Sequence, residues 1–269
     1  MSDLAYYCQK WSLDSLEQIA ATHSSYVYKV CMSDGSFAVL KILNEKGQEF
    51  EAGGAGLLEW YGGKGAARLY AYDEKAVLLE YVDGGEVAEL VLLDEDEQST
   101  RVICTVVKQL HQKREGTWPK LIPLKTWFQD LYVREEQSDD VLVAEAVEMA
   151  DHLFETTVYE IPLHGDIHHH NIMKSERGWL AIDPQALLGD PCYDAANLYG
   201  NPEGFEEECL SEKRIHMIAD IASEVLGYDR TRLLQFGFVH NVISTVWSGG
   251  AGKNEEQRRA VACLIKKHF

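Results

Sequence analysis

The sequence predicts a two-lobed α+β fold, and three observations carry that prediction. Strand-like runs and turn signals are confined to roughly the first eighty residues. Helix-period apolar stripes run from about Ser99 to the C-terminus. The length of 269 residues suffices for two lobes with their own cores and is too short for a multi-domain assembly. The expected division is a lobe of residues 1–82, built on a small antiparallel sheet with one helix, and a larger, mostly helical lobe of residues 83–269.

Between Gln18 and Ile42, two runs rich in Val, Tyr and Phe flank Ser33-Asp34-Gly35-Ser36, whose Asp-Gly pair marks an antiparallel hairpin. Glu49 to Trp60 reads as a helix in spite of Gly53, Gly54 and Gly56. Each glycine costs an isolated helix about 1 kcal/mol relative to Ala, so the segment needs tertiary support. Ala66 to Tyr72 and Ala76 to Val82 read as two further strands around Asp73-Glu74-Lys75, completing the small sheet. Asp83-Gly84-Gly85 ends the last strand, and the acidic run Asp94 to Glu97 reads as a solvated connection. A helix follows with Val102, Ile103, Val106, Val107 and Leu110 on one face and Ser99 or Thr100 placed to cap it. Ser138 opens another helix, whose acidic first turn (Asp139, Asp140) suits the helix dipole. Leu233 to Trp247 is apolar nearly all round and reads as a buried helix, and Glu255 to His268 as a closing amphipathic one.

With 46% hydrophobic and 26% charged residues the chain is an ordinary globular protein, which excludes collagen-like and disordered classes. Its net charge of −19 repels phosphate backbones, arguing against a nucleic-acid partner, and suits a cationic small substrate. The six cysteines are dispersed with no Cys-x-x-Cys pair, as expected of free thiols in a reducing compartment. The N-terminus lacks a basic stretch followed by an apolar run, and no segment has the apolar length of a membrane span. A cytoplasmic location is expected.

The segment richest in chemistry runs from Leu163 through His164, Gly165, Asp166 and Asn171 to Ile182-Asp183-Pro184. Apolar runs at Asn171 to Met173 and Trp179 to Ile182 predict a two-stranded ribbon with Asp166, Asn171 and Asp183 gathered at one end. Phosphoryl transfer from ATP requires a carboxylate to orient the hydroxyl and take its proton, and oxygen ligands for magnesium. Asp166 can supply the first, and Asn171 and Asp183 the second. The Asp-x-x-x-x-Asn spacing, followed by an Asp after a hydrophobic strand, is that of a kinase catalytic loop and metal-binding Asp. The same histidines and carboxylates could compose a zinc or iron site, but no second ligand cluster of matching spacing follows. His168, His169 and His170 read as loop packing or solvent-exposed residues rather than ligands.

His164-Gly-Asp166 through Asn171, Ile182-Asp183-Pro184, and Leu188-Gly189-Asp190-Pro191-x-Tyr193-Asp194-Ala195-Ala196 together resemble the aminoglycoside phosphotransferases, in the branch of streptomycin 6-kinases and hydroxyurea kinases. The resemblance covers most of the chain and implies a protein-kinase-like fold with ATP and magnesium as cofactors. It implies that Asp166 is the catalytic base and that Asn171 and Asp183 bind the metal. Lys41 would hold the α and β phosphates, itself held by Glu51, while Glu80, Tyr81 and Val82 would line the adenine pocket with backbone groups. His164 and Asp190 would support the catalytic loop.

The turn expected to face the phosphates, Thr22-His23-Ser24-Ser25, has no Gly-x-Gly-x-x-Gly, and offers Ser24 and Ser25 to the nucleotide. Glu206, Glu207 and Glu208 follow the Asp194 segment, where the resemblance implies substrate contacts, and carboxylates there would suit a cationic aminocyclitol. The expected activity is transfer of phosphate to a hydroxyl of a streptomycin-like aminoglycoside. The alternatives are a metabolic kinase for a sugar, amino alcohol or hydroxyurea-like acceptor, or a nucleotide-binding protein that has lost catalysis.

Overall fold

The computed structural model describes residues 2–22, 24–45, 47, 52–248 and 253–269. The chain opens with helix α1 (Asp3–Trp11), which no expectation covered. The Ser2 hydroxyl caps it by accepting from the Ala5 amide, and buried Tyr7 donates to Asp73 at 2.8 Å. Strands β1 (Asp14–Ala21), β2 (Ser25–Cys31) and β3 (Phe37–Leu43) follow. After helix α2 (Ala52–Tyr61) come β4 (Leu69–Tyr72) and β5 (Ala76–Glu80). All five strands pair antiparallel in the order β1-β2-β3-β5-β4. The Asp34-Gly35 turn joins β2 to β3 as the sequence predicts, with Gly35 at φ 84°.

Two of the helix glycines, Gly53 and Gly54, find their support against the chain that follows Asp183, and Gly56 against Pro119. A Cβ added at Gly54 would lie 2.4 Å from the Pro184 carbonyl oxygen, so a side chain there would push α2 off that segment. The approach outweighs the cost to helix propensity. Glu49, Phe50 and Glu51, the expected start of this helix, lie outside the described residues.

The remainder is mostly helical: α3 (Ala88–Leu92), α4 (Asp96–Leu110), α5 (Leu124–Trp127), α6 (Gln129–Glu136) and α7 (Val141–Glu155), then α8 (Glu206–Cys209), α9 (Glu212–Leu226), α10 (Arg230–Trp247) and α11 (Lys253–Ile265). Three expectations need correction here. Asp96 and Glu97 are not a connection but the first turn of α4, where Asp96 also pairs with Arg214 at 2.7 Å. Ser99 and Thr100 lie inside that helix and donate back to the Asp96 carbonyl rather than capping it. The helix expected to open at Ser138 begins at Val141, capped by Asp140.

Short strands carry the loops of interest. β6 (Ile122–Pro123) pairs parallel and β7 (Ile161–Leu163) antiparallel with β10 (Leu187–Gly189). The predicted ribbon is β8 (Ile172–Ser175) against β9 (Gly178–Ala181). This ribbon is wedged between the sheet lobe and the segment after β5: Ala67 N donates to Ala181 O at 2.9 Å, and Val87 N to Ile172 O at 2.8 Å. One hydrophobic cluster runs from Leu43, Leu57, Val77 and Leu79 through to the helical lobe, so the lobes share a core. A smaller cluster packs Tyr7 of α1 on the outer face of the sheet against Val30 and Leu40. Among the described residues, no helix is long and apolar enough to cross a membrane. All six cysteines are free.

Candidate active site

A cleft of about 990 Å³ lies between the sheet and the helical lobe. Residues from widely separated parts of the chain line it: Thr22, Ser24 and Lys41 from the sheet side, Asp166, His168, Asn171 and Asp183 from the loop and ribbon, and Trp127, Asp130 and Trp247 from the helices. The sequence-predicted Lys41, Asp166, Asn171 and Asp183 therefore meet in one place. Register explains the first: Lys41 sits opposite Val77 on β5, and Val77 lines the same cleft. Its Nζ lies 2.9 Å from Asp183 Oδ1, an ion pair that joins the lobes.

Asp166 is held on both carboxylate oxygens. Asn171 Nδ2 donates to its Oδ2 at 3.3 Å and to its main-chain oxygen at 2.9 Å, and Asn197 Nδ2 donates to Oδ1 at 3.1 Å. His168 Nε2 stands 3.7 Å from Oδ2. Burial raises the pKa of Asp166; His164, the Asn171 bond and Arg258 pull against that rise, while the charge of Asp183 adds to it.

The loop bearing Asp166 is tied down from beneath. His164 is fully buried; its Nε2 bonds the Ile182 carbonyl at 2.8 Å, and its Nδ1 accepts from the Asp166 amide at 3.3 Å. Burial keeps that imidazole below its ordinary pKa. The support expected of Asp190 comes instead from Asp194, which accepts from the amides of His164 (3.0 Å) and Gly165 (2.7 Å) and bonds His111 Nε2 at 2.8 Å. Burial alone would raise the Asp194 pKa, but the His111 bond and charge, His164 and the Gly165 amide outweigh it and hold it low. Asp190 faces away: it caps the turn at Cys192 and pairs with Arg232 at 2.8 Å.

Asp183 adopts φ +56°, a left-handed conformation that Asp tolerates better than most residues. Asn171 spends its side-chain nitrogen on Asp166, which leaves its side-chain Oδ1 without a donor among the described residues. The Asp183 carboxylate and the Asn171 amide oxygen, lining one cleft, are hard oxygen donors of the kind that suits magnesium. Among the described residues, no group of three or more His, Cys, Asp or Glu side chains is gathered to hold a metal ion in the manner of a zinc site.

Other expected residues fall differently. Ser24 lines the cleft; Ser25 is buried in β2, and Thr22 Oγ1 accepts from the amides of both. Glu80, Tyr81 and Val82 are not among the lining residues, and the Glu80 carboxylate is turned onto Arg177 at 3.0 Å. Glu51 lies outside the described residues. Glu206, Glu207 and Glu208 are exposed on α8, away from the cleft. The acidic lining residue on the helical side is Asp130, which makes no ion pair among the described residues. It stands beside Trp127 and Trp247, whose ring centroids are 5.5 Å apart. Asn197, Asp194, Trp127, Asp130 and Trp247 were not predicted. Asp194 and Asn197 lie in or just after the Gly-Asp-Pro stretch, a signal that could have found them; the others carry no local motif.

A family model described as aminoglycoside/hydroxyurea antibiotic resistance kinase matches residues 10–252. A streptomycin 3″-kinase of Klebsiella pneumoniae is 32% identical over 262 residues, covering 96% of each chain. A streptomycin 6-kinase of Streptomyces griseus is 26% identical over 260 residues, covering 88% of this chain and 79% of its own. Among solved structures, a thermostable mutant of an aminoglycoside phosphotransferase in ternary complex with ADP and hygromycin B matches with a TM-score of 0.67 at 12% identity, over 100% of this chain and 99% of that one. That likeness shows the kinase-like fold.

Proposed function

We infer the reaction from the family: this chain belongs to the aminoglycoside/hydroxyurea antibiotic resistance kinases. It transfers a phosphoryl group to a hydroxyl of a small molecule, and we take the donor to be ATP and the acceptor a streptomycin-like aminoglycoside. The supporting observation is the convergence of Lys41, Asp166, Asn171 and Asp183 on one cleft.

In this reading Asp166 accepts a hydrogen bond from the acceptor hydroxyl and takes its proton as the new O–P bond forms and the bond to ADP breaks. Lys41 would pair with the α and β phosphates, and Ser24, on the sheet side of the cleft, would offer its hydroxyl to them. Asn171 and Asp183 would hold magnesium, which when bound offsets the charge of the phosphates. The acceptor occupies the helical end of the cleft. There the uncompensated Asp130 carboxylate suits a guanidinium or ammonium group, and the Trp127 and Trp247 rings offer apolar faces to a sugar or a cation. Of the two hydroxyls that the relatives' names specify, we favour 3″, because the 3″-kinase is the more similar and covers both chains almost fully. Six free thiols suit a cytoplasmic enzyme.

The test is steady-state ADP release with magnesium-ATP and streptomycin, with the product's phosphorylated position read by NMR. Turnover should be present in the native protein and fall by about 1,000-fold in Asp166→Ala, within the range expected for loss of a general base. Turnover with hydroxyurea or an amino alcohol, but not with streptomycin, would replace the acceptor; turnover untouched by Asp166→Ala would overturn the mechanism.

A further inference from the structure

The amide donor on Asp166 Oδ1 has no assigned purpose, and the group behind it is more unusual still. Asn197 is 8% exposed and its Nδ2 points at Asp166. Its other amide atom, Oδ1, accepts from Asn201 Nδ2 at 2.7 Å and from Arg258 Nη1 at 3.1 Å. Two donors on one side of the amide and an acceptor on the other leave a single orientation in which every atom is satisfied. A flipped Asn197 would set nitrogen against guanidinium and oxygen against carboxylate.

Arg258, on α11, is itself an odd resident of this place. Its described hydrogen-bond partners are two amide oxygens, Asn197 Oδ1 and Asn241 Oδ1, the latter at 3.3 Å. No carboxylate lies within ion-pair distance of it among the described residues. Burial weighs against its charge, while Cys209, Asp166 and Glu203 favour it. The backbone makes room for it: a Cβ at Gly200 would lie 2.4 Å from Arg258 Nη1 and 2.3 Å from Asn241 Oδ1. A cation kept half-buried without a direct counter-ion costs stability unless its field is used.

We propose that Asn197 and Arg258 are positioning residues for phosphoryl transfer: Arg258 locks the Asn197 amide so that it clamps Asp166 Oδ1, leaving Oδ2 for the acceptor hydroxyl. This rests on the reading of Asp166 as the base. The arrangement resists rotation of the Asp166 carboxylate, and misplacement of a reacting group by about 1 Å can cost about a hundredfold in rate. The relay reaches the base from the last helix of the chain, sixty-one residues beyond Asn197.

Asn197→Asp is the discriminating variant. It matches Asn in size and keeps Oδ1 for Arg258 and Asn201, while the donor to Asp166 is replaced by a carboxylate oxygen that repels the base. With magnesium-ATP and streptomycin, kcat should fall about a hundredfold while both KM values stay within about twofold. Arg258→Met should lower kcat about tenfold, and adding it to Asn197→Ala should cost nothing further, as expected of residues acting in series. Crystal structures give an acceptor-independent readout: in Arg258→Met, Asn197 should release Asp166 Oδ1. An unchanged Asn197–Asp166 bond in that variant, or wild-type kcat in Asn197→Asp, would overturn the relay. Asp166→Ala in the same assay separates the two ideas: if it is inactive while Asn197→Asp is active, only the relay falls, and if it is active, both do.

Discussion

The two ends of the cleft are built differently. At the loop end the groups that hold the base are each bonded at least twice: Asp166 by Asn171 and Asn197, Asp194 by two amides and His111, and His164 by Ile182 and Asp166. At the helical end, Asp130, Trp127 and Trp247 face the cleft with few bonds to anything else. Chemistry common to a family demands fixed geometry, so its groups are over-determined by neighbours. Recognition of one acceptor needs only a few side chains of the right kind, and these can change without disturbing the fold.

Removing a member of the bonded end should therefore have the largest effect on stability. Asp194→Ala strips the buried amides of His164 and Gly165, and the ring of His111, of their acceptor. A loss of about 3–5 kcal/mol is expected in urea unfolding, as for one partner removed from a buried pair. A loss under about 1 kcal/mol would show that the loop is not held from beneath.

Acid should probe the same end next. Burial lowers the pKa of His164 and His240, and that of His168 to about 4. The unfolded chain protonates these rings near pH 6.5, before the folded one does. Stability should therefore be full above about pH 6.5 and fall as pH drops below it, by about 1.4 kcal/mol per pH unit for each ring still neutral in the folded chain, the share of His168 ending near pH 4. His240→Phe should flatten that slope by one histidine's share; a flat profile across the window would contradict the burial of these rings.

The same contrast governs what was legible in the sequence. The residues from His164 to Asp183 lie within one short stretch, so their spacing alone points to a kinase-like loop and ribbon. Trp127, Asp130 and Trp247 meet only because α5, α6 and the end of α10 converge, and nothing local distinguishes them from ordinary surface residues. Asp190 and Asp194 lie four residues apart in one motif; only the direction of the 3-10 helix Pro191–Leu198 decides which one faces the loop. The aromatic-rich α1 was not foreseen, although Ser2 and Asp3 supply its start signal.

At the sparse end, Asp130→Asn should leave unfolding unchanged and raise the KM for streptomycin about tenfold, with kcat and the KM for ATP unaffected. A tenfold change is about 1.4 kcal/mol, the scale of one partly exposed charge-assisted contact. An unchanged KM would move acceptor recognition away from this side of the cleft.

The smallest effect is expected where the sequence placed the substrate. Glu206, Glu207 and Glu208 form a single short helix, exposed and outside the cleft lining. Three clustered carboxylates on an exposed surface repel one another as much as they attract a cation, and salt screens both effects beyond about 8 Å. Replacing all three by Gln should change stability by no more than about 0.5 kcal/mol, as is usual for surface substitutions, and leave the KM for streptomycin within about twofold. A KM that rises strongly only at low salt would mean that the run steers a cationic acceptor at a distance. A rise that persists at high salt would mean direct contact and would draw the acceptor site out beyond Trp247, erasing the contrast between a rigid chemical end and a sparse binding end confined to three residues.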